Sequence, residues 1–299
     1  MASAAEAPCA AAAPATAARA AGTVAESIYA LEVSSAEVQA DRRQVEGYAP
    51  LLSAVASGNR SEVAAAVTHL VYSGTHIVRL RVTHGATVLA DVGGPYILAP
   101  ASGNLRFHGR AVGRYVFSVQ DDLGYVKLEN RFIGYPLILR QNGRRIPLEG
   151  TIAARSASIP DQGPVAYHGV DYQAFSFNAQ AFPSGALKVT MLVPTPRSSA
   201  AGCVAVRASE LGRVAQTVWH RFTVLGAPVS SYIRTLHGLT NGLIYVRAGS
   251  RQLAGSTQPG PARLPAEGTV RYRGAAYRVT SFAATTAGTA VRVYQLVAP

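Results

Sequence analysis

The sequence predicts an α+β protein assembled from repeated units. Each full unit is expected to be a twisted antiparallel sheet with helices packed on one face, and a middle β unit is expected to lack helices. Three observations predict this. Residues 163–179 read GPVAYHGVDYQAFSFNA and residues 268–284 read GTVRYRGAAYRVTSFAA, sharing Gly163/Gly268, Val165/Val270, Tyr167/Tyr272, Gly169/Gly274, Tyr172/Tyr277, Ser176/Ser281 and Phe177/Phe282 at one offset. A weaker third copy lies upstream, where Gly103, Leu105, Phe107, His108, Gly109 and Phe117 match Gly163, Val165, Tyr167, His168, Gly169 and Phe177. Finally, the apolar period changes from helical to alternating at Ile77.

The elements follow in order. Residues 15–37 read as a helix, with Pro14 at its first turn and Val24, Ile28 and Leu31 at helical spacing. Two shorter helices, 47–57 and 61–72, flank the stop signal Ser57-Gly58-Asn59. Strands are expected at 77–82, 87–92, 105–108, 111–120 and 125–132, with Asp121-Asp122-Leu123-Gly124 as a tight turn before the last. Asn142-Gly143 marks a hairpin between strands at 137–140 and 145–148. A meander at 165–167, 171–178 and 187–193 completes the middle unit. Helices return at 203–224 and 229–237, followed by strands at 243–246, 252–253, 270–272, 276–282 and 290–297. The chain thus divides into a flexible alanine-rich start (1–19), a first unit (20–134), a middle β repeat (136–194), a linker (195–202) and a second full unit (203–299).

Composition narrows the function classes. The 299 residues are 48% hydrophobic, enough to fold, and only 15% charged, against about a quarter in an average chain. The net charge is +12, and all but Lys127 and Lys188 of the 28 basic residues are arginine. Such an excess would suit an anionic partner, for instance an anionic surface polymer, but alanine and arginine together also dominate chains from GC-rich genomes, and that compositional reading is preferred. The arginines are scattered, and no basic arm, RNP-type strand, Cys/His finger or basic heptad points to nucleic acid. No apolar run is long enough for a transmembrane segment. No cofactor fingerprint, phosphate loop, nucleophile elbow or metal-ligand spacing occurs, so neither an enzyme nor a metal site is expected. The two cysteines, Cys9 and Cys203, precede matching helical stretches, Gly22-x-Val24-Ala25-x-Ser27-Ile28-Tyr29 and Gly212-x-Val214-Ala215-x-Thr217-Val218-Trp219. Their near-equivalence predicts a disulfide joining two helix starts, and with it an extracytoplasmic or secreted location.

The order of helix, hairpin, long loop and meander resembles bacterial extracytoplasmic PAS-like sensors of the Cache (PDC) type. The strings Leu89-Ala90-Asp91-Val92-Gly93-Gly94-Pro95-Tyr96 and Ser118-Val119-Gln120-Asp121-Asp122-Leu123-Gly124-Tyr125 are similar to those of exported actinobacterial proteins of this kind. The resemblance covers residues 20–134 and 203–299. It implies a small-molecule ligand held between sheet and long loop. The ordered aromatic, arginine and aspartate set of amino-acid-binding Cache domains is not evident, so that specificity is not carried over.

The site expected on this reading is rimmed by the 93–103 loop. Gly93 and Gly94 permit close backbone approach, and Tyr96 can cap a pocket. Arg79, Arg81 and Arg114 can pair with an anionic ligand, and Asp91 with a ligand amine. Each also has a structural alternative: the arginines as a solvated strand face, Asp91 as a turn cap, Tyr96 as a core lid. His108, His168 and Arg273 occupy one repeat position before a glycine, which suits a turn flank better than a catalytic base. The reading is therefore a sensor-like binding protein. A cell-surface structural or protein-interaction module, and a hydrolase with an unrecognised site, stay open as alternatives.

Overall fold

The computed structural model describes residues 9–299 apart from 10, 74, 95, 96, 99, 147–158, 168 and 196–201. In chain order the elements are α1 (Ala13–Ser34), α2 (Ala36–Gly47), α3 (Ala49–Ser57), α4 (Arg60–Tyr72), β1 (Arg79–His84), β2 (Thr87–Gly93), β3 (Ile97–Leu98), β4 (Ala101–Phe107), β5 (Arg110–Ser118), β6 (Gln120–Asp121) and α5 (Asp122–Phe132). They continue with β7 (Leu137–Gln141), β8 (Arg144–Arg145), β9 (Gln162–Tyr167), β10 (Val170–Gln180), β11 (Ala186–Pro194), α6 (Cys203–Val224), α7 (Val229–Thr240), β12 (Leu243–Ala248), β13 (Arg251–Gly255), β14 (Gly268–Tyr272), β15 (Ala275–Thr286) and β16 (Thr289–Val297).

Local chemistry sets the boundaries. Ser35 and Asn59 cap α2 and α4 through their side chains, and Gly58 ends α3 in the left-handed region. Four hairpin turns are built on pairs with both φ positive: His108-Gly109, Asn142-Gly143, Arg273-Gly274 and Ala287-Gly288. His108 and Arg273 are thus turn residues at equivalent places, with φ of 48° and 50°.

Three larger antiparallel sheets result, ordered β2-β1-β5-β4, β8-β7-β11-β10-β9 and β13-β12-β16-β15-β14, with a two-stranded β3-β6 ribbon. The second and third have the same connectivity strand for strand, so the repeat read in the sequence is a repeat of sheet topology. The first is one strand shorter. The segment expected to complete it, 125–132, is helical in α5. Asp121, expected in a turn, caps this helix by accepting from the Gly124 amide, and Tyr125, Val126 and Glu129 bury one face at helical spacing.

The middle sheet is not without helices. Helix α1, expected to open the first unit, lies on β10 and β11 instead, where Val24, Ala25 and Ile28 pack with Phe177, Val189 and Met191. The first sheet is covered by α2, α3 and α4, through Leu51, Val63, Val67 and Leu70 against Leu80, Val82, Tyr115 and Phe117. Residues 36–118, which carry α2–α4 and the first sheet, thus lie in the sequence between α1 and the middle sheet that it covers. The sequence hides this because helix and sheet are separated by a whole intervening unit.

Cys9 is 3% exposed and α1 begins at Ala13, inside the segment expected to be flexible through residue 19. Ala13, Ala17, Ala18 and Ala21 are buried. Their small side chains let α1 lie close beside α6. A Cys9–Cys203 disulfide, with Cα atoms 4.8 Å apart, fastens the two helix starts. One continuous core runs from the middle sheet through α1 and α6 to the last sheet.

A buried polar group sits where α1 hands over to the inserted segment. Tyr125 Oη donates to Glu129 Oε1 at 2.7 Å, and Gln120 Nε2 donates to Glu32 Oε2 at 3.0 Å. Burial pushes the Glu129 carboxyl up to about 8, against the lowering effect of the Tyr125 hydrogen bond.

Candidate ligand pocket

The structure brings five of the expected site residues together. Arg79 Nε and Nη2 donate to the two oxygens of Asp91 at 2.8 and 3.0 Å, and Arg81 Nε and Nη2 donate to Asp91 Oδ2 at 2.9 and 2.6 Å. Arg79 Nη1 also donates to the Gly94 carbonyl at 3.0 Å. Both guanidinium groups lie over the Phe182 ring, 4.9 and 5.7 Å from its centre. Burial raises the Asp91 carboxyl, but the two arginines outweigh it and hold it below the usual carboxylate range. The arginine forks are thus engaged with Asp91, at the contact between the first sheet and the β10–β11 turn. Gly93, at φ 131°, closes against Val78 and Arg79, where a β-carbon would lie 2.3 Å from the Val78 carbonyl oxygen. Arg114 pairs in register with Thr83 and Asn104, two strand positions from this group. Tyr96 lies outside the described residues.

A cavity of about 220 Å³ lies elsewhere, between α6 and the last sheet, with the 266–267 segment at its mouth. Its origin is visible by comparing the two topologically equivalent modules. In the middle sheet Phe175 pairs in register with Met191, and in the last sheet Thr280 pairs with Gln295. Both pairs face the covering helix, and both helices present a glycine to them. A β-carbon on Gly22 of α1 would lie 2.1 Å from Phe175 Cδ1, and one on Gly212 of α6 would lie 2.9 Å from Thr280 Oγ1. The first module thus fills the space between helix and sheet with a phenyl ring and a thioether. The second replaces them with a short hydroxyl and an amide.

These two polar side chains are underused. Gln295 is 2% exposed, and its Nε2 donates to Thr240 Oγ1 at 3.0 Å. Among the described residues its Oε1 has no hydrogen-bond partner, and neither has Thr280 Oγ1. A buried polar atom left so costs about 1–3 kcal/mol. Ala215 and the Phe282 ring provide apolar wall, and Glu267, paired with Arg278 at 3.3 Å, stands at the mouth. Sequence reasoning missed Gly212, Thr280 and Gln295. The signal available was a single core-facing position, Phe in one repeat and Thr in the other, inside an otherwise matching stretch.

A larger groove of about 530 Å³ runs between α1, α6 and α7 past Arg19 and Arg207. Within it Thr23 Oγ1 donates to the Arg19 carbonyl at 2.9 Å, and Arg207 Nη1 to the Ala298 carbonyl at 3.0 Å. Among the described residues, no three His, Cys, Asp or Glu side chains converge as a metal site, and no helix is long and apolar enough to cross a membrane.

No protein-family model matches this chain, and no curated protein does. Among solved structures, two of the periplasmic domain of Vibrio cholerae LuxQ are similar at 8% identity, covering 97% and 94% of this chain and 98% and 99% of theirs, with TM-scores of 0.16 and 0.19. An extracellular ligand binding receptor from Desulfohalobium retbaense is similar at 10% identity over 87% of this chain and 39% of its own, with a TM-score of 0.17.

Proposed function

We propose that this protein is an extracytoplasmic, sensor-like binding protein whose small-molecule site lies in its last module, between α6 and the sheet, at Gly212, Thr280 and Gln295. On this reading the chain is a pair of PAS-like modules, α1/α5/β7–β11 and α6/α7/β12–β16, with a third, α2–β5, inserted into the first. The observation that carries the proposal is the paired difference between Phe175 with Met191 and Thr280 with Gln295. One position is packed shut and its counterpart is polar, hollow and incompletely hydrogen-bonded. A protein selected for packing alone would fill both. The Cys9–Cys203 disulfide supports an oxidising compartment.

The test is to refill the cavity. Thr280→Phe with Gln295→Met installs the residues of the filled module. A thermal-shift screen of amides, alcohols, amines, carboxylates and sugars is run on both proteins. The proposal expects at least one class to raise the melting temperature of the native chain and not of the refilled one. A ligand that shifts both equally would refute this site.

A further inference from the structure

We infer that the β14–β15 hairpin of the last module is a docking surface for an acidic polysaccharide. This goes beyond the small-molecule pocket and does not rest on it. The middle and last sheets share one connectivity, so their charges can be compared position by position. Residues 161–179 carry Asp161 and Asp171 and no arginine or lysine. The matching residues 266–284 carry Arg271, Arg273 and Arg278 against Glu267 alone. Arg271 stands where the middle copy has Ala166, Arg278 where it has Gln173, and Ala276 where it has Asp171. A bias of composition acts on both copies and does not account for a reversal of sign in one of them. Nor does protection of an exposed edge, since β9 and β14 are both edge strands and β9 carries no arginine or lysine. Over the whole last module, residues 203–299, eleven arginines stand against two glutamates, which is nine of the chain's net charge of +12.

The cations share one edge of the sheet. In register Thr269 faces Arg278 and Arg271 faces Ala276, which sets Arg271 and Arg278 diagonally on one face. Arg273 follows in the turn and lies over the Tyr272 ring, 5.3 Å from its centre. Arg263 stands in the segment leading into β14, and it is exposed, as are Arg271 and Arg273. Glu267, the single acid of residues 243–299, pairs with Arg278 at 3.3 Å through a side chain that is 74% exposed. Among the described residues Arg263, Arg271 and Arg273 have no carboxylate partner. Their field is therefore directed at solvent. A guanidinium fork matches a planar carboxylate two hydrogen bonds at a time. Cations strung along an edge strand and its turn suit a chain of repeated carboxylates better than one small anion. The oxidising compartment supported by the Cys9–Cys203 bridge puts this surface among extracellular polymers.

The experiment is binding of the full chain to immobilised polygalacturonate, with polyphosphate and neutral dextran alongside. The test variant, Arg271→Ala/Arg273→His/Arg278→Gln, installs the residues of the middle copy. The control, Arg43→Ala/Arg60→Ala/Arg110→Ala, removes the same charge from exposed positions elsewhere in the chain. The native protein should bind polygalacturonate and release it as salt rises. Affinity should fall about tenfold in the test variant, the loss of three exposed charge contacts, and by less than about threefold in the control. Equal losses in the two variants, or no binding by the native chain, would overturn the inference. Tighter binding of polyphosphate, or equal binding of dextran, would overturn the acidic polysaccharide as the occupant. Should the triple variant not fold, Arg271→Glu at its exposed position decides between the same outcomes. Gly212, Thr280 and Gln295 are unchanged throughout, so failure here leaves the pocket reading standing.

Discussion

Phe175 and Thr280 stand at the same point of two copies of one topology, each pressed toward a glycine of the helix above it, Gly22 in one and Gly212 in the other. The glycine in α1 is required by a ring. The glycine in α6 faces a threonine, whose hydroxyl oxygen would lie 2.9 Å from a β-carbon there, and the proposed site lies beside this contact.

Alanine at these glycines should therefore act unequally. Gly22→Ala drives a methyl into a packed phenyl ring. Overpacking of about 1–3 kcal/mol outweighs the helix-propensity gain of up to ~1 kcal/mol. Gly212→Ala meets Thr280 Oγ1 at 2.9 Å and Cβ at 3.3 Å, a milder crowding that the helix-propensity gain partly offsets, and should cost less than Gly22→Ala. Urea unfolding of both variants checks the contrast.

Reducing the disulfide, or replacing it through Cys9→Ser with Cys203→Ser, should cost about 2–5 kcal/mol. The bridge closes a sequence separation of 194 residues and holds together two helices that belong to different sheets. Denaturation with and without reductant measures the loss. Proteolysis should then cut first near the start of α1.

Glu129 should give the protein an alkaline weakness. Its folded carboxyl titrates near 8, raised by burial from about 4.5 when unfolded. Between those values the folded state holds a proton that the unfolded state has released. Stability from this group is thus fully present below about pH 4.5, falls as pH rises and levels off above about pH 8. Glu129→Gln keeps a neutral side chain at every pH. It should flatten the slope of unfolding free energy against pH between 5 and 8, as read by denaturant titration across that range.

The Arg79–Asp91–Arg81 group should behave in the opposite sense. Asp91 is held below the usual carboxylate range, so its contribution is present at neutral pH and lost as pH falls through its depressed value. Its side chain is 19% exposed. Asp91→Ala leaves two neighbouring guanidinium groups uncompensated and should cost about 1–3 kcal/mol at pH 7. The cost should shrink in high salt, which screens the repulsion between them. Guanidinium chloride would mask this effect, so urea is the denaturant to use.

Much of the sheet architecture was legible because its markers are local. Turn glycines such as Gly109, Gly169 and Gly274 and the strand aromatics recur at fixed spacing, and the cysteines precede matching helices. Helix α5 was misread because Tyr125 to Phe132 carries apolar residues compatible with either period, and the deciding Asp121 cap also suits a turn. The nesting was hidden because α1 meets β10 and β11 across an intervening unit, a contact no local pattern encodes. The expected site fell on charged residues that satisfy one another. The pocket residues, Thr280 and Gln295, are polar side chains in strands, and only the register that sets them opposite each other and beneath Gly212 makes them a site.

The central claim is that one module is filled and its counterpart is open to a guest. Methyl-labelled NMR with Thr280 and Met191 as paired reporters tests it most directly, because the two methyls sit in the open and the closed module. Titrating the compound that gives the largest thermal shift should move the Thr280 methyl resonance in a saturable way and leave that of Met191 in place. Movement of Met191 alone, or of neither while the compound demonstrably binds, would contradict the account.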